Sequence, residues 1–202
     1  MSPRPYQLGK RQEQVDEVRR RIIDAARALL AESDDYRSFT VEAVARQADV
    51  AKATVYYQFA SKTGLLEALC DDLAIRGGMP DMPSVFNEPD PTKALHALVT
   101  IFGRFWAEDR TVMRRLRALA ALDPEVREVI SARDERRRNA IRRIVRPLFD
   151  RAVRVPSRPY DQLVTVLWML TSFEAFDALT PADGRLTDAN EEILRLVDGV
   201  VQ

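Results

Sequence analysis

The stretch TVEAVARQADVAKATVYYQFASK, from Thr40 to Lys62, constrains this chain more than any other. Val41, Val44, Ala45 and Ala48 recur at helical period, and Val55 and Phe59 recur after an interruption at Asp49, Val50 and Ala51. Two short helices meeting at a tight turn are predicted. Thr40 is suited to N-cap the first of them, and Ser61 to cap a further helix opening at Lys62. The side chains left over on the second helix are Lys52, Ala53, Thr54, Tyr56, Tyr57 and Gln58. They make a small, hydrogen-bonding and aromatic face with one cation, which suits a DNA groove.

Neighbouring segments supply the walls such a pair of helices needs. Val18, Ile22, Ala25, Ala26, Leu29 and Leu30 predict one long helix packed over both, ending near Ser33 before a loop at Asp34, Asp35 and Tyr36. Leu65, Leu66, Leu69 and Leu73 supply another wall after Ser61, and Cys70 in the same helix reads as a small buried thiol. Met1 to about Val15, with Pro3, Arg4, Pro5, Lys10 and Arg11, reads as a flexible, mildly basic arm.

The N-capped helix, the short turn, T-V-Y-Y-Q-F and then S-K-T-G-L-L resemble the DNA-binding head of the TetR (tetracycline repressor) family, sharply so from about Val18 to Leu73. By motif position the resemblance implies base-edge contact by Lys52 and Ala53 and phosphate contact by Thr54, Tyr56, Tyr57 and Lys62. The chemistry agrees: lysine can donate to guanine O6 or N7, alanine can touch a thymine methyl, and tyrosine hydroxyls suit phosphate oxygens. Gln58 stands where the family often has His, and its amide can donate to phosphate or pair with adenine. Lys62, in the first turn of its helix, is placed to clamp a phosphate, and Thr40 could do likewise. Of the two tyrosines, Tyr56 is expected to be the more buried. Two positions depart from the family: Asp49 stands for the usual Gly and Ala51 for the usual capping Ser. Ala is a poorer N-cap by about 1 kcal/mol, so the recognition helix is expected to start differently or to fray.

Lys plus Arg and Asp plus Glu number 31 each, so any affinity for DNA must come from local charge placement. A single Cys rules out an internal disulfide and fits a reducing cytoplasm. No run of about 18 apolar residues suggests a membrane span, and no signal pattern opens the chain. The one His, His96, and the scattered acids form no metal spacing, phosphate loop or nucleophile elbow, so no enzyme, metal site or cofactor is expected.

Gly77, Gly78, Pro80, Pro83, Pro89 and Pro91 mark a boundary or long loop. A split into a head at 1–76 and a carboxy-terminal domain at 77–202 follows. Beyond the boundary, Leu95, Leu98, Val99, Phe102, Phe105 and Trp106 line one helix, and a shorter one runs from about Thr111 to Leu122. Asp123 and Pro124 open a long helix towards Arg151, with Pro147 inside it. Arg133, Arg136, Arg137, Arg138, Arg142 and Arg143 on that helix alternate with acids and read as a solvated face.

From Tyr160 to Leu179 apolar residues occupy nearly every side, and Ile193, Leu196, Val197, Val200 and Val201 form a further stripe on the last helix. Surplus apolar surface on both points to a homodimer through the last two helices, which the resemblance also implies. Its twofold symmetry would match a palindromic site. The resemblance further implies a small-molecule pocket in the bundle. Candidate lining residues are Phe102, Phe105, Trp106, Met113, Leu116, Trp168, Met169, Phe173 and Phe176, with Thr171, Ser172, His96 and Glu174 as polar contacts.

The expected fold is all-α, with about nine helices: a three-helix head containing a helix-turn-helix, then a helical ligand-binding and dimerisation bundle. The expected function is a cytoplasmic, ligand-responsive regulator that binds double-stranded DNA, most simply a repressor released by a small, largely apolar effector. A helical dimeric module for a small molecule or protein, with weak or lost DNA binding, is the alternative.

Overall fold

A computed structural model of the chain describes residues 5–32, 38–150 and 158–201. Among these residues there are eleven α-helices and no strand, so the chain is all-α as expected. In order they are α1 (Pro5–Glu32), α2 (Val41–Gln47), α3 (Lys52–Phe59), α4 (Lys62–Arg76), α5 (Met82–Asn87), α6 (Pro91–Glu108), α7 (Arg110–Leu122), α8 (Pro124–Asp150), α9 (Tyr160–Leu170), α10 (Phe173–Leu179) and α11 (Asn190–Val201). The excess over nine has two sources. The Gly/Pro-rich segment contains α5, and the apolar run from Tyr160 to Leu179 breaks into α9 and α10.

Contacts divide the chain into two compact units, Met1–Asp72 with Arg114–Val129, and Leu73–Met113 with Ile130–Gln202. In the first, Ile22, Ala26 and Leu30 of α1, Val41 and Val44 of α2, Val55 and Phe59 of α3, and Leu65, Leu66 and Leu69 of α4 are all buried. Each such Val, Leu, Ile or Phe side chain contributes about 1.5–3 kcal/mol by leaving water. Leu116, Leu119 and Val126 are buried in the same unit. Arg115 adds a polar tie by donating to the Leu30 carbonyl at 2.7 Å, which satisfies an orphan acceptor in the last turn of α1. Cys70 is buried and free.

The flexible arm expected up to Val15 is a correction. Met1 to Arg4 lie outside the described residues, as does the loop expected at Asp34, Asp35 and Tyr36, but α1 already starts at Pro5. Proline is favoured in a helix's first turn, and the Gln, Glu, Lys and Arg that follow are strong helix formers.

In the second unit, Gly77 and Gly78 allow the chain leaving α4 to fold back. A Cβ on Gly77 would stand 2.6 Å from the Phe105 Cα, and Gly78 has a φ of +85°. A short 3-10 turn at Met79–Asp81 and α5 follow. On α6, Leu95, Leu98, Val99, Phe102 and Trp106 are buried, in line with the predicted stripe. The break between α9 and α10 is made by polar groups: Thr171 donates back to the Leu167 carbonyl at 2.8 Å, and Ser172 N-caps α10 by accepting from the Ala175 amide at 3.2 Å. The segment after α10 is clamped by Arg110, which reaches the Asp177 carboxylate at 2.7 Å and the carbonyls of Asp177, Thr180, Pro181 and Gly184 at 3.1–3.4 Å.

Candidate functional site

The turn between α2 and α3 sets the angle of the exposed helix. Thr40 caps α2 through the Ala43 amide at 3.1 Å, as expected. Asp49 adopts a φ of 51°, the left-handed conformation that Gly adopts without cost and that Asp tolerates better than most residues. Its carbonyl accepts from Arg21 of α1 at 3.3 Å. Ala51 offers no side-chain cap, yet α3 still begins at Lys52, with the Thr54 amide bonded to the Ala51 carbonyl at 2.9 Å. Packing of Val55 and Phe59 and the Arg19 guanidinium, 4.4 Å over the Phe59 ring, hold α3 without it. At its far end, a Cβ on Gly64 would lie 2.1 Å from the Phe59 carbonyl oxygen, so only Gly lets α4 start this close. Ser61 accepts from the Gly64 amide at 3.0 Å.

Lys52, Ala53, Tyr56 and Tyr57 are exposed, with Tyr57 81% and Tyr56 41% accessible, the expected order. Thr54 is half-buried. Gln58 turns towards α1: its side-chain amide nitrogen points at the Val15 carbonyl 3.5 Å away, and its backbone carbonyl accepts from Arg19 at 2.8 Å. Both lysines are ion-paired. Lys52 binds Glu42 of α2, which raises the ammonium pKa and lowers that of the carboxyl, and its Nζ lies 5.6 Å from the Tyr56 ring centre. Lys62 binds Asp123 Oδ2 at 2.5 Å. The other carboxylate oxygen of Asp123 accepts from the Glu125 and Val126 amides at 2.9 and 3.4 Å and so caps α8. The Lys62 hydrogen bond holds the Asp123 carboxyl below its ordinary pKa, against the opposing effect of burial.

The second unit carries a partly open cavity of about 310 Å³. Ala74, Met79, Met82, Phe86, Phe102, Phe105, Trp106 and Ala140 form its apolar walls, and Arg133, Asp134, Arg136 and Arg137 line one turn of α8. Phe102, Phe105 and Trp106 meet edge-on or tilted, with ring centres 4.5–6.2 Å apart. Arg137 is only 4% exposed, which corrects its expected place on a solvated face. It donates to Thr171 Oγ1 at 2.9 Å, to the Trp168 carbonyl and to Asp134 at 3.2 Å, and its guanidinium faces the Trp168 ring at 5.2 Å. Acceptors from another helix make this burial tolerable.

Residues 22–69 match the family model described as bacterial regulatory proteins, tetR family. Residues 22–69 form a head of the TetR type. Its fold is similar to that of the Bacillus subtilis transcriptional regulator FadR in complex with stearoyl-CoA, at 17% identity and a TM-score of 0.67, with 90% of this chain and 98% of that one covered. A putative TetR-family regulator from Rhodococcus sp. gives 18% identity, a TM-score of 0.68 and coverage of 92% and 100%. A putative regulator from Saccharomonospora viridis in complex with choline gives 22%, 0.63 and coverage of 89% and 94%. No curated protein matches the chain.

Of the residues expected to line a pocket in the bundle, Phe102, Phe105 and Trp106 line the cavity. Met113, Leu116, Trp168, Met169, Thr171, Ser172, Phe173 and Phe176 are not among its lining residues. Leu116 is buried in the first unit, Met169 is exposed, and Phe173 and Phe176 are packed core, with Phe173 against the Trp106 ring at 5.8 Å. Thr171 accepts from Arg137 and, through its carbonyl, from Trp106 Nε1 at 3.1 Å. His96 pairs with Asp198 at 2.6 Å. The lining residues that sequence reading missed are Ala74, Met79, Met82, Phe86, Ala140 and the α8 charges. A helical spacing of Met79, Met82 and Phe86 was present as a signal, masked by the surrounding prolines. Among the described residues, no three His, Cys, Asp or Glu side chains are placed to hold a metal ion, and no helix is long and apolar enough to cross a membrane.

Proposed function

We propose that the chain is a cytoplasmic, ligand-responsive transcriptional regulator that binds a palindromic operator as a dimer and is released by a small effector. The observation that carries this reading is the solvent-facing surface of α3, held behind a helix-turn-helix in a segment that matches the TetR-family model. In this reading residues 1–76 bind DNA, with Lys52 and Ala53 at base edges and Thr40, Thr54, Tyr56, Tyr57, Gln58 and Lys62 at or near phosphates. Residues 77–202 bind the effector and the second subunit. Exposed Met169, Leu179 and Leu196 on α9, α10 and α11 support a twofold contact through the carboxy-terminal helices.

Repression follows from linkage. An effector that prefers the DNA-incompetent arrangement lowers DNA affinity by the same factor by which DNA lowers its own. The reading contains no catalytic step. A second reading, a helical binding module with weak DNA affinity, is favoured by one observation: both lysines of the surface are held by carboxylates of the same chain.

A gel shift with the duplex upstream of the chain's own reading frame, at two salt concentrations, separates the readings. Specific binding that weakens steeply with salt supports the regulator. Micromolar, sequence-blind binding supports the module.

A further inference from the structure

The two helices of the helix-turn-helix bring opposite charges to one exposed place. Glu42 lies in the first turn of α2 and Lys52 opens α3, and the Lys52 ammonium donates to Glu42 Oε1. Neither side chain is sunk into the fold, since 48% of Lys52 and 55% of Glu42 remain accessible. Arg46 stands four residues beyond Glu42 on α2, the spacing at which a helical Glu ordinarily finds its partner, yet Glu42 reaches across the turn to α3. At such exposure an ion pair adds little to stability. What it does is hold a donor and an acceptor side by side on the face that carries Ala53, Tyr56 and Tyr57.

A base pair can match that pattern. An ammonium has three N–H groups and a carboxylate about four lone-pair sites, so the Lys52–Glu42 bond leaves both groups with capacity to spare. In the major groove a G·C pair shows two neighbouring acceptors, guanine N7 and O6, followed by a donor, the cytosine N4 amino group. We infer that Glu42 and Lys52 together read one G·C pair, Lys52 at guanine O6 and N7 and Glu42 at cytosine N4, with the bond between them kept. An A·T pair sets its amino group between two acceptors and adds the thymine methyl, so it offers the pair fewer bonds. The Glu42 charge also repels phosphates, which lowers affinity for every sequence that does not offer an amino group in return. The inference rests on the regulator reading and adds Glu42 to it as a specificity-determining residue.

Selection from a randomised duplex pool with the full wild-type chain gives the preferred site, and anisotropy on duplexes changed one base pair at a time gives the preference at each position. In each half-site one G·C pair should be found whose replacement by A·T or by C·G weakens wild-type binding at least about tenfold. Glu42→Ala should lose most of that preference at this pair alone and bind random duplex several-fold more tightly. Glu42→Asp, one methylene shorter, should lose the preference without the gain on random duplex, and Lys52→Ala should lose it at the same pair. Preferences that Glu42→Ala leaves unchanged or weakens equally at every position, or losses by the two alanine variants at different base pairs, would overturn the shared reading while leaving the regulator intact. A wild type that selects no sequence at all would overturn both.

Discussion

Replacing Asp123 by Asn should tighten binding to every DNA sequence alike. Asp123 accepts the Lys62 ammonium through one carboxylate oxygen and caps α8 through the other, and Asn is as good an N-cap as Asp. The substitution therefore keeps the cap and removes the counter-charge. Exposed ion pairs are worth up to about 1 kcal/mol, and this one, at 26% and 22% exposure, lies at the upper end of that range. A lysine that clamps a phosphate must first give up its carboxylate, so Asp123→Asn saves about 1 kcal/mol per head. For two heads this is about 2 kcal/mol, or about thirtyfold in affinity. Fluorescence anisotropy on operator and random duplexes across a salt series reads it, and the gain should shrink as salt screens the ion pair that the wild type must break. Glu128→Gln, which deletes an exposed charge further along α8, controls for the general field and should give a much smaller gain. A gain confined to the operator, no gain, or one matched by Glu128→Gln would refute Lys62 as a phosphate clamp restrained by Asp123.

The same pair makes a pH prediction. Because the folded-state pKa of Asp123 is depressed, the stability it adds is present above the ordinary value of 3.8 and lost as pH falls through the lower folded value. The stability gap between wild type and Asp123→Asn in denaturant titrations should be steady above about pH 5 and close in stronger acid. Asp49→Gly should raise stability by about 0.5–1 kcal/mol, since Gly accepts a φ of 51° without steric cost; a loss would show that the Asp side chain makes a stabilising contact. Gly64→Ala should cost about 2 kcal/mol or more, read by thermal denaturation, because its methyl group would collide with a backbone carbonyl that cannot swing away. Arg110→Lys should cost about 2–3 kcal/mol, because an ammonium cannot serve the five acceptors that the guanidinium spans.

The head was legible because its signals are local. Thr40 as cap, the apolar spacing of α2 and α3, and Leu65, Leu66 and Leu69 on α4 all act within a few residues of one another. What escaped was non-local or masked. Asp123 reads in sequence only as a helix cap, and its second bond reaches a lysine 61 residues away. Arg137 sits in a charge run that predicts a solvated face, and its burial depends on acceptors at Trp168 and Thr171 that no periodicity in α8 reveals. The unbroken apolar run of α9 and α10 hid the stop made by Thr171 and the cap made by Ser172. Prolines 80 and 83 looked like loop punctuation but occupy the first turns of a 3-10 helix and of α5, where proline is tolerated.

Hydroxyl-radical footprinting of the protein, read by mass spectrometry on the peptide that carries Tyr56 and Tyr57, asks most directly whether the outer face of α3 meets DNA. With its upstream duplex present, the reactivity of Tyr57, now 81% accessible, should fall several-fold, and a scrambled duplex at the same salt should protect it far less. Unchanged Tyr57 reactivity under saturating upstream duplex would contradict the account.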